Sequence, residues 1–180
     1  MAVDLAVIFD ALSYASKMHA QQRRKDKEAS PYINHPIDVA NILVTVGNIQ
    51  DTNVLAAAIL HDTIEDTEAS EQDLIERFGE DIAALVMECT DDKSLPKAKR
   101  KQLQIEHAPH KSPRAKHIKI ADKISNVRDL SSSPPKDWPL ERVREYLDWS
   151  EKVVTGLGET NQPLLDLYKQ TLENARKSVS

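Results

Sequence analysis

Apolar residues return every three or four positions through nine stretches, 3–18, 37–46, 53–60, 71–78, 81–89, 96–106, 114–130, 139–157 and 163–175. That spacing lines one face of an α-helix, whereas a half-buried strand alternates. A β-sandwich would also need many turn glycines, and the 180 residues include four. The sequence therefore predicts an all-α fold of about nine helices, broken at "SPYINHP", "GNIQD", "FGED", "APHKSP", "SSSPPKDWP" and "GLGETNQP". Pro36 suits a first helical turn, where its missing N–H leaves no bond unmade. No linker or internal repeat divides the chain, so residues 1–180 read as one domain with a single core.

Charge narrows the function classes. A net charge of −5 argues against nucleic-acid binding, which usually draws on a basic excess. The cations are nevertheless bunched in two islands, "QQRRKDK" at 21–27 and "DKSLPKAKRK" at 92–101, which suit a small polyanion better than a duplex. Cys89 is the sole cysteine, so no internal disulfide forms and a reducing, cytoplasmic setting is expected. The apolar N-terminal stretch is interrupted by Asp4 and Asp10 and has no basic leader, which reads as an amphipathic helix rather than a signal peptide. No run approaches the roughly 18 apolar residues needed to span a bilayer.

The segment "ILHDTIEDTE", 59–68, places His61, Asp62, Glu65 and Asp66 directly behind the apolar run "VLAAAIL". A helix continuing over 53–66 pairs His61 with Glu65, and Asp62 with Asp66, at i, i+4. Downstream, "IKIADKISNVRDL" carries Asp122 and Asn126 at the same spacing among apolar positions, and an unpaired Asp there would be costly to bury. A cation removes that cost. With His35 of "YINHP", the residues His35, His61, Asp62 and Asp122 form a mixed N/O set suited to one Mn²⁺, Fe²⁺, Zn²⁺ or similar ion, and the lack of thiolates favours an open catalytic site. Glu65 and Asp66 are then placed for proton transfer. His107, His110 and His117 lie around a Pro-broken connection and are not expected to form a second metal site. His19 reads as a helix-face residue and Trp149 as core.

These segments carry a resemblance. "HP", "HDTIED" and "ADKISN" follow the H…HDxxED…D pattern of the HD-domain metal-dependent phosphohydrolases. "PYINHP", "ILHD", "TDDKSLPKAKRK", "AKHIKIADKISNVRDL" and "RVREYLDW" resemble the hydrolase part of the RelA/SpoT family, above all its stand-alone members, over about residues 14 to 157. The resemblance implies about ten helices, one Mn²⁺ and removal of the 3′-pyrophosphate of guanosine tetra- or pentaphosphate, with NADPH 2′-phosphatase activity as an alternative. It puts the metal on His35, His61, Asp62 and Asp122 and the water-handling pair on Glu65 and Asp66. It further implies substrate contacts from Arg24, Lys25, Lys97 and Asn126, and less directly Arg100. Arg142 and Tyr146, at i, i+4, could serve the phosphate and sugar or simply pack along their helix. The partner is a small nucleotide. Ala29 and Ser30 stand where relatives often have Gly, Ser125 where many have a larger residue, and His117 where an aliphatic is usual. An inactive alarmone-sensing module is a third reading, but its decay should have deleted ligands, and all are present.

Overall fold

The computed structural model describes residues 2–179. Among them lie ten α-helices: α1 (Leu5–Met18), α2 (Asn34–Thr45), α3 (Thr52–Leu60), α4 (Thr63–Asp66), α5 (Glu71–Phe78), α6 (Glu80–Cys89), α7 (Lys97–His107), α8 (Pro113–Ser132), α9 (Leu140–Leu157) and α10 (Gln162–Ser178). A 3₁₀ turn, Ala108–His110, follows α7. The described residues hold no strand, only an isolated bridge between Arg23 and Pro31. The all-α expectation holds, and the nine predicted stretches each contain a helix.

Local chemistry starts these helices where the sequence punctuates them. The carboxylates of Asp4 and Asp51 accept the first free N–H groups of α1 and α3, and Ser112 and Asn161 do the same for α8 and α10. Ser70 and Asp73 form a reciprocal capping box on α5.

Two helices form the centre. Every residue of α3 from Val54 to Leu60 is buried, and its three alanines let α1, α2 and α6 approach closely. Helix α8 packs against α2, α3, α6, α9 and α10, so even its Lys119, Asp122, Lys123 and Ser125 are buried. Leu43, Leu60, Ile118, Ile124, Leu147 and Leu164 belong to one continuous core. The candidate site residues thus project from the most constrained elements of the fold. No helix among the described residues is long and apolar enough to cross a membrane.

The expected continuous helix over 53–66 is corrected. Helix α3 stops at Leu60, His61 and Asp62 form a turn, and α4 is a single short turn. Side chains take the carbonyls at the end of α3: the His61 ring nitrogen Nδ1 lies 2.7 Å from Ala58 O, and Thr63 Oγ1 donates to Leu60 O at 2.7 Å. This break swings His61 and Asp62 toward α2 and α8 together. His19 caps the C-terminal end of α1 and is buried, at 2 % exposure. One further expectation fails. Trp149 is half-buried rather than core, its indole N–H donating to Lys101 O at 3.0 Å with the ammonium groups of Lys101 and Lys123 over its ring at 4.7 and 4.6 Å.

The loop between α1 and α2 returns on itself through Arg24 N–H to Ser30 O and Tyr32 N–H to Gln22 O, at 2.8 and 3.1 Å. Ala29 at its tip has φ 51°, in the left-handed region. A Cβ there costs about 1–2 kcal/mol, partly offset by the larger chain entropy that a glycine loses on folding. Ala29→Gly is accordingly expected to raise stability by up to about 1 kcal/mol, or about 2–4 °C in Tm, readable by thermal unfolding.

Candidate metal centre

Three walls bring the ligand set together. His35 lies in the first turn of α2, His61 and Asp62 in the turn after α3, and Asp122 in the middle of α8. His35 Nε2 is 3.2 Å from Asp122 Oδ1 and 3.8 Å from Asp62 Oδ2. His61 Nε2 is 3.2 Å from Asp62 Oδ2 and 3.8 Å from Asp122 Oδ1. His35, His61 and Asp62 each offer a ligand atom within 4.8 Å of one another, and Asp122 Oδ1 approaches the same two imidazole nitrogens.

The hydrogen bonds show what this cluster needs. A backbone carbonyl only accepts, so His61 holds its proton on Nδ1, facing Ala58 O, and presents the lone pair of Nε2 to two carboxylate oxygens. That buried Nε2 has no hydrogen-bond partner. Lone pairs converging from imidazoles and carboxylates fit a divalent cation, and the N/O donor set is of the kind such ions take.

Titration tells the same story. Burial lowers the pKa of His61, but the negative charges of Asp62 and Asp122 beside its ring more than reverse this and carry it well above the ordinary histidine value. Burial holds His35 below it. For Asp62, burial pushes the carboxyl up, and the positive charge that His61 can carry outweighs that and holds it low. Asp122 is likewise raised by burial but carried well below the usual carboxylate range by Lys123 and both imidazoles. Protons and a cation therefore compete for the same negative pocket.

Further side chains complete the frame; Lys123, Ser125 and Tyr32 are absent from the sequence-based candidate set, whereas Asn126 belongs to it as a substrate contact. Lys123 Nζ bonds Asp122 Oδ2 at 3.0 Å, and Asn126 Nδ2 bonds Asp122 Oδ1 at 2.6 Å. Ser125 Oγ lies 3.0 Å from His35 Nδ1, which gives this small residue a role in setting the imidazole. Tyr32 O–H donates to Asp62 Oδ2 at 2.5 Å.

Glu65 and Asp66 project from α4, the turn that follows Asp62, and have different partners. Glu65 Oε2 accepts the Asp91 N–H at 3.1 Å, its Oε1 lies 3.5 Å from Arg100, and burial raises its carboxyl pKa. Asp66 has donors on both oxygens, Lys93 on Oδ1 and Gln22 Nε2 on Oδ2, the latter at 3.0 Å.

Two cavities open beside the centre. Arg24, Lys25, Tyr32, Asp66, Asn126 and Tyr146 border one of about 370 Å³. Lys97, Arg100, Lys101, Arg142, Tyr146 and Trp149 border the other, of about 530 Å³. Trp138 and Tyr146, 5.9 Å apart between ring centroids, belong to both walls. Every candidate substrate residue lies on one of these two cavities. Arg24 is already engaged, by Asp129 at 2.5 Å and Asn126 Oδ1 at 3.0 Å, and the Arg142 guanidinium sits 4.3 Å over the Trp138 ring. His107, His110 and His117 join no metal-capable cluster among the described residues.

Residues 11–148 match the family described as the HD domain. The chain belongs to the HD-domain family, in its RelA/SpoT-like branch. It is 52% identical over 164 residues to the guanosine-3′,5′-bis(diphosphate) 3′-pyrophosphohydrolase MESH1 of Xenopus tropicalis, covering 91% of this chain and 92% of that protein. It is 49% identical to the Homo sapiens protein of the same name, covering 94% of each. A solved structure of a metazoan orthologue of SpoT, described as hydrolysing ppGpp, superposes with a TM-score of 0.94 at 44% identity over 100% of both chains.

Proposed function

We propose that this protein removes the 3′-pyrophosphate of guanosine tetra- and pentaphosphate, leaving GDP or GTP, with one divalent ion held by His35, His61, Asp62 and Asp122. The observation that carries the reading is the convergence of two imidazole and two carboxylate ligand atoms beside cavities rimmed with cations. The relatives named for this activity support it. We assign the ion as Mn²⁺ because the family resemblance implies it, and the mixed N/O set, which also suits Fe²⁺ or Zn²⁺, accommodates it; when bound, such an ion would polarise phosphate and lower the pKa of water.

The residues then divide the work. Glu65, partly shielded and raised in pKa, takes a proton from the attacking water, and Asp66, fixed by Lys93 and Gln22, orients that water. The water oxygen joins the 3′-phosphorus as the bond to the ribose O3′ breaks; pyrophosphate departs carrying the new oxygen, O3′ takes up a proton from solvent to become the hydroxyl of GDP or GTP, and Glu65 returns its proton to solvent. Arg24, Lys25, Lys97 and Arg142, with Arg100 near Glu65, offset the phosphate charge, and Asn126 and Tyr146 address the ribose. We read residues 1–180 as one HD-type hydrolase domain, cytoplasmic, acting on a small nucleotide with no nucleic-acid or membrane partner.

Pyrophosphate release with Mn²⁺ tests this. Wild type is expected to be active, and Asp62→Ala and Glu65→Ala to lose most activity; equal rates in all three would end the proposal. The paired cavities on either side of Trp138 and Tyr146 also suit a dinucleotide, which keeps NADPH 2′-phosphatase as a second reading. A higher kcat/KM for NADPH than for ppGpp, measured side by side, would put that reading first. An inactive sensor is disfavoured by the intact ligand set, and a preparation that neither holds nor responds to a divalent ion would restore it.

A further inference from the structure

Gln22 and Asp66 lie 44 positions apart, yet the Gln22 amide is aimed at one oxygen of Asp66. A carboxylate oxygen only accepts, so the amide must present its NH₂ there and turn its carbonyl Oε1 the other way. Oε1 meets His19 Nδ1 at 2.6 Å, which makes that nitrogen the donor. His19 is 2 % exposed and its Nε2 has no hydrogen-bond partner. A buried polar atom left unpaired is a stability cost, and it calls for a reason.

The other face of the same imidazole supplies one. It forms a tilted stack with the Tyr32 ring, with centroids 4.8 Å apart and an interplanar angle of 34°, and the Tyr32 hydroxyl donates to Asp62 Oδ2 at 2.5 Å. His19 caps α1, with its N–H on Ala15 O at 2.9 Å, and its own carbonyl takes the Gln22 N–H at 2.9 Å. One rigid group at a helix end therefore backs two residues of the centre by two routes.

We infer that His19 is a positioning residue with two separable duties: its Nδ1–H orients Gln22 to hold Asp66, and its ring face braces Tyr32 to hold Asp62. This rests on the hydrolase reading above for the role of Asp66, while the Tyr32 route is a statement about metal affinity. His19→Phe keeps the stack and removes both the donor and the unpaired nitrogen. Its kcat for pyrophosphate release is expected to fall about 10- to 100-fold, with KM, Mn²⁺ affinity and Tm retained. His19→Asn keeps an N–H donor near the Nδ1 position and loses the stack. It is expected to hold most of kcat at saturating Mn²⁺ and to lose about tenfold in Mn²⁺ affinity.

Gln22→Leu is expected to copy the His19→Phe loss of kcat, and the double variant to add nothing further. A wild-type kcat in His19→Phe would overturn the inference, as would losses of rate, Mn²⁺ affinity and Tm that move together in both His19 variants, because a purely structural histidine behaves that way. Should His19→Phe fail to fold, a wild-type kcat in Gln22→Leu would be decisive against the Asp66 route. Absence of pyrophosphate release by wild type would instead sink the functional reading, and Mn²⁺ titration of His19→Asn would still decide the Tyr32 route.

Discussion

Asp122→Asn is expected to lower the rate of pyrophosphate release about 10³-fold, equivalent to about 4 kcal/mol of lost transition-state stabilisation. The change is nearly isosteric, so its effect isolates charge and hydrogen bonding. In wild type each carboxylate oxygen has its own donor, Asn126 Nδ2 on Oδ1 and Lys123 Nζ on Oδ2. A carboxamide offers one acceptor, so its NH₂ must face one of those donors or turn into the ligand cluster. Either placement weakens the hold on a cation. The variant also leaves the ammonium of Lys123 buried without its counter-charge, for which about 3 kcal/mol of stability is the expected cost. Asp122→Asn/Lys123→Met separates the two effects: methionine can lie along Trp149 where the ammonium does now, so stability against denaturant should recover while activity does not. Turnover close to wild type in the single variant would remove Asp122 from the ligand set.

The residues that the sequence revealed are those whose character clashes with their surroundings. His61 and Asp62 end the most apolar run in the chain, and Asp122 interrupts a helix whose neighbours are Ile118, Ile120, Ala121 and Ile124. Burying such groups requires a partner, and that requirement is visible without coordinates. The helices were visible for a similar reason, since most of the longer ones bury an apolar set at helical spacing and α1, α3, α5, α8 and α10 open at a capping side chain. What stayed hidden depends on bonds between distant positions. The break at 61–62 comes from His61 and Thr63 taking carbonyls of α3, which leaves no mark on the apolar period, and α4 is too short to show a period at all. Tyr32 and Gln22 reach Asp62 and Asp66 across 30 and 44 positions by a loop that folds back on the centre. Lys123, adjacent to Asp122 in the same buried helix, carried the clearest unused signal: a buried carboxylate wants a counter-charge. Trp149 was misplaced because its size argues for the core, whereas the cations of α7 and α8 hold it at a cavity wall.

Glu65→Gln is expected to lower kcat about 10²- to 10⁴-fold, the range for loss of a general base, and to change the pH profile of what remains. The reason lies in how the structure separates the two acidic neighbours. Asp66 has a donor on each oxygen and is held in place, whereas Glu65 is shielded enough that burial raises its pKa. A base acts only when deprotonated, so the acid-side limb of kcat in wild type should lie above the ordinary glutamate range. Gln cannot titrate, and that limb should vanish from the residual activity. In Asp66→Asn the rate should fall with the limb retained, because Glu65 is still present. Arg100 adds a signed check: its guanidinium, 3.5 Å from Glu65 Oε1, favours the ionised carboxylate, so Arg100→Met should move the limb to higher pH. A limb that persists unchanged in Glu65→Gln, or one that moves to lower pH in Arg100→Met, would assign the proton transfer to another group.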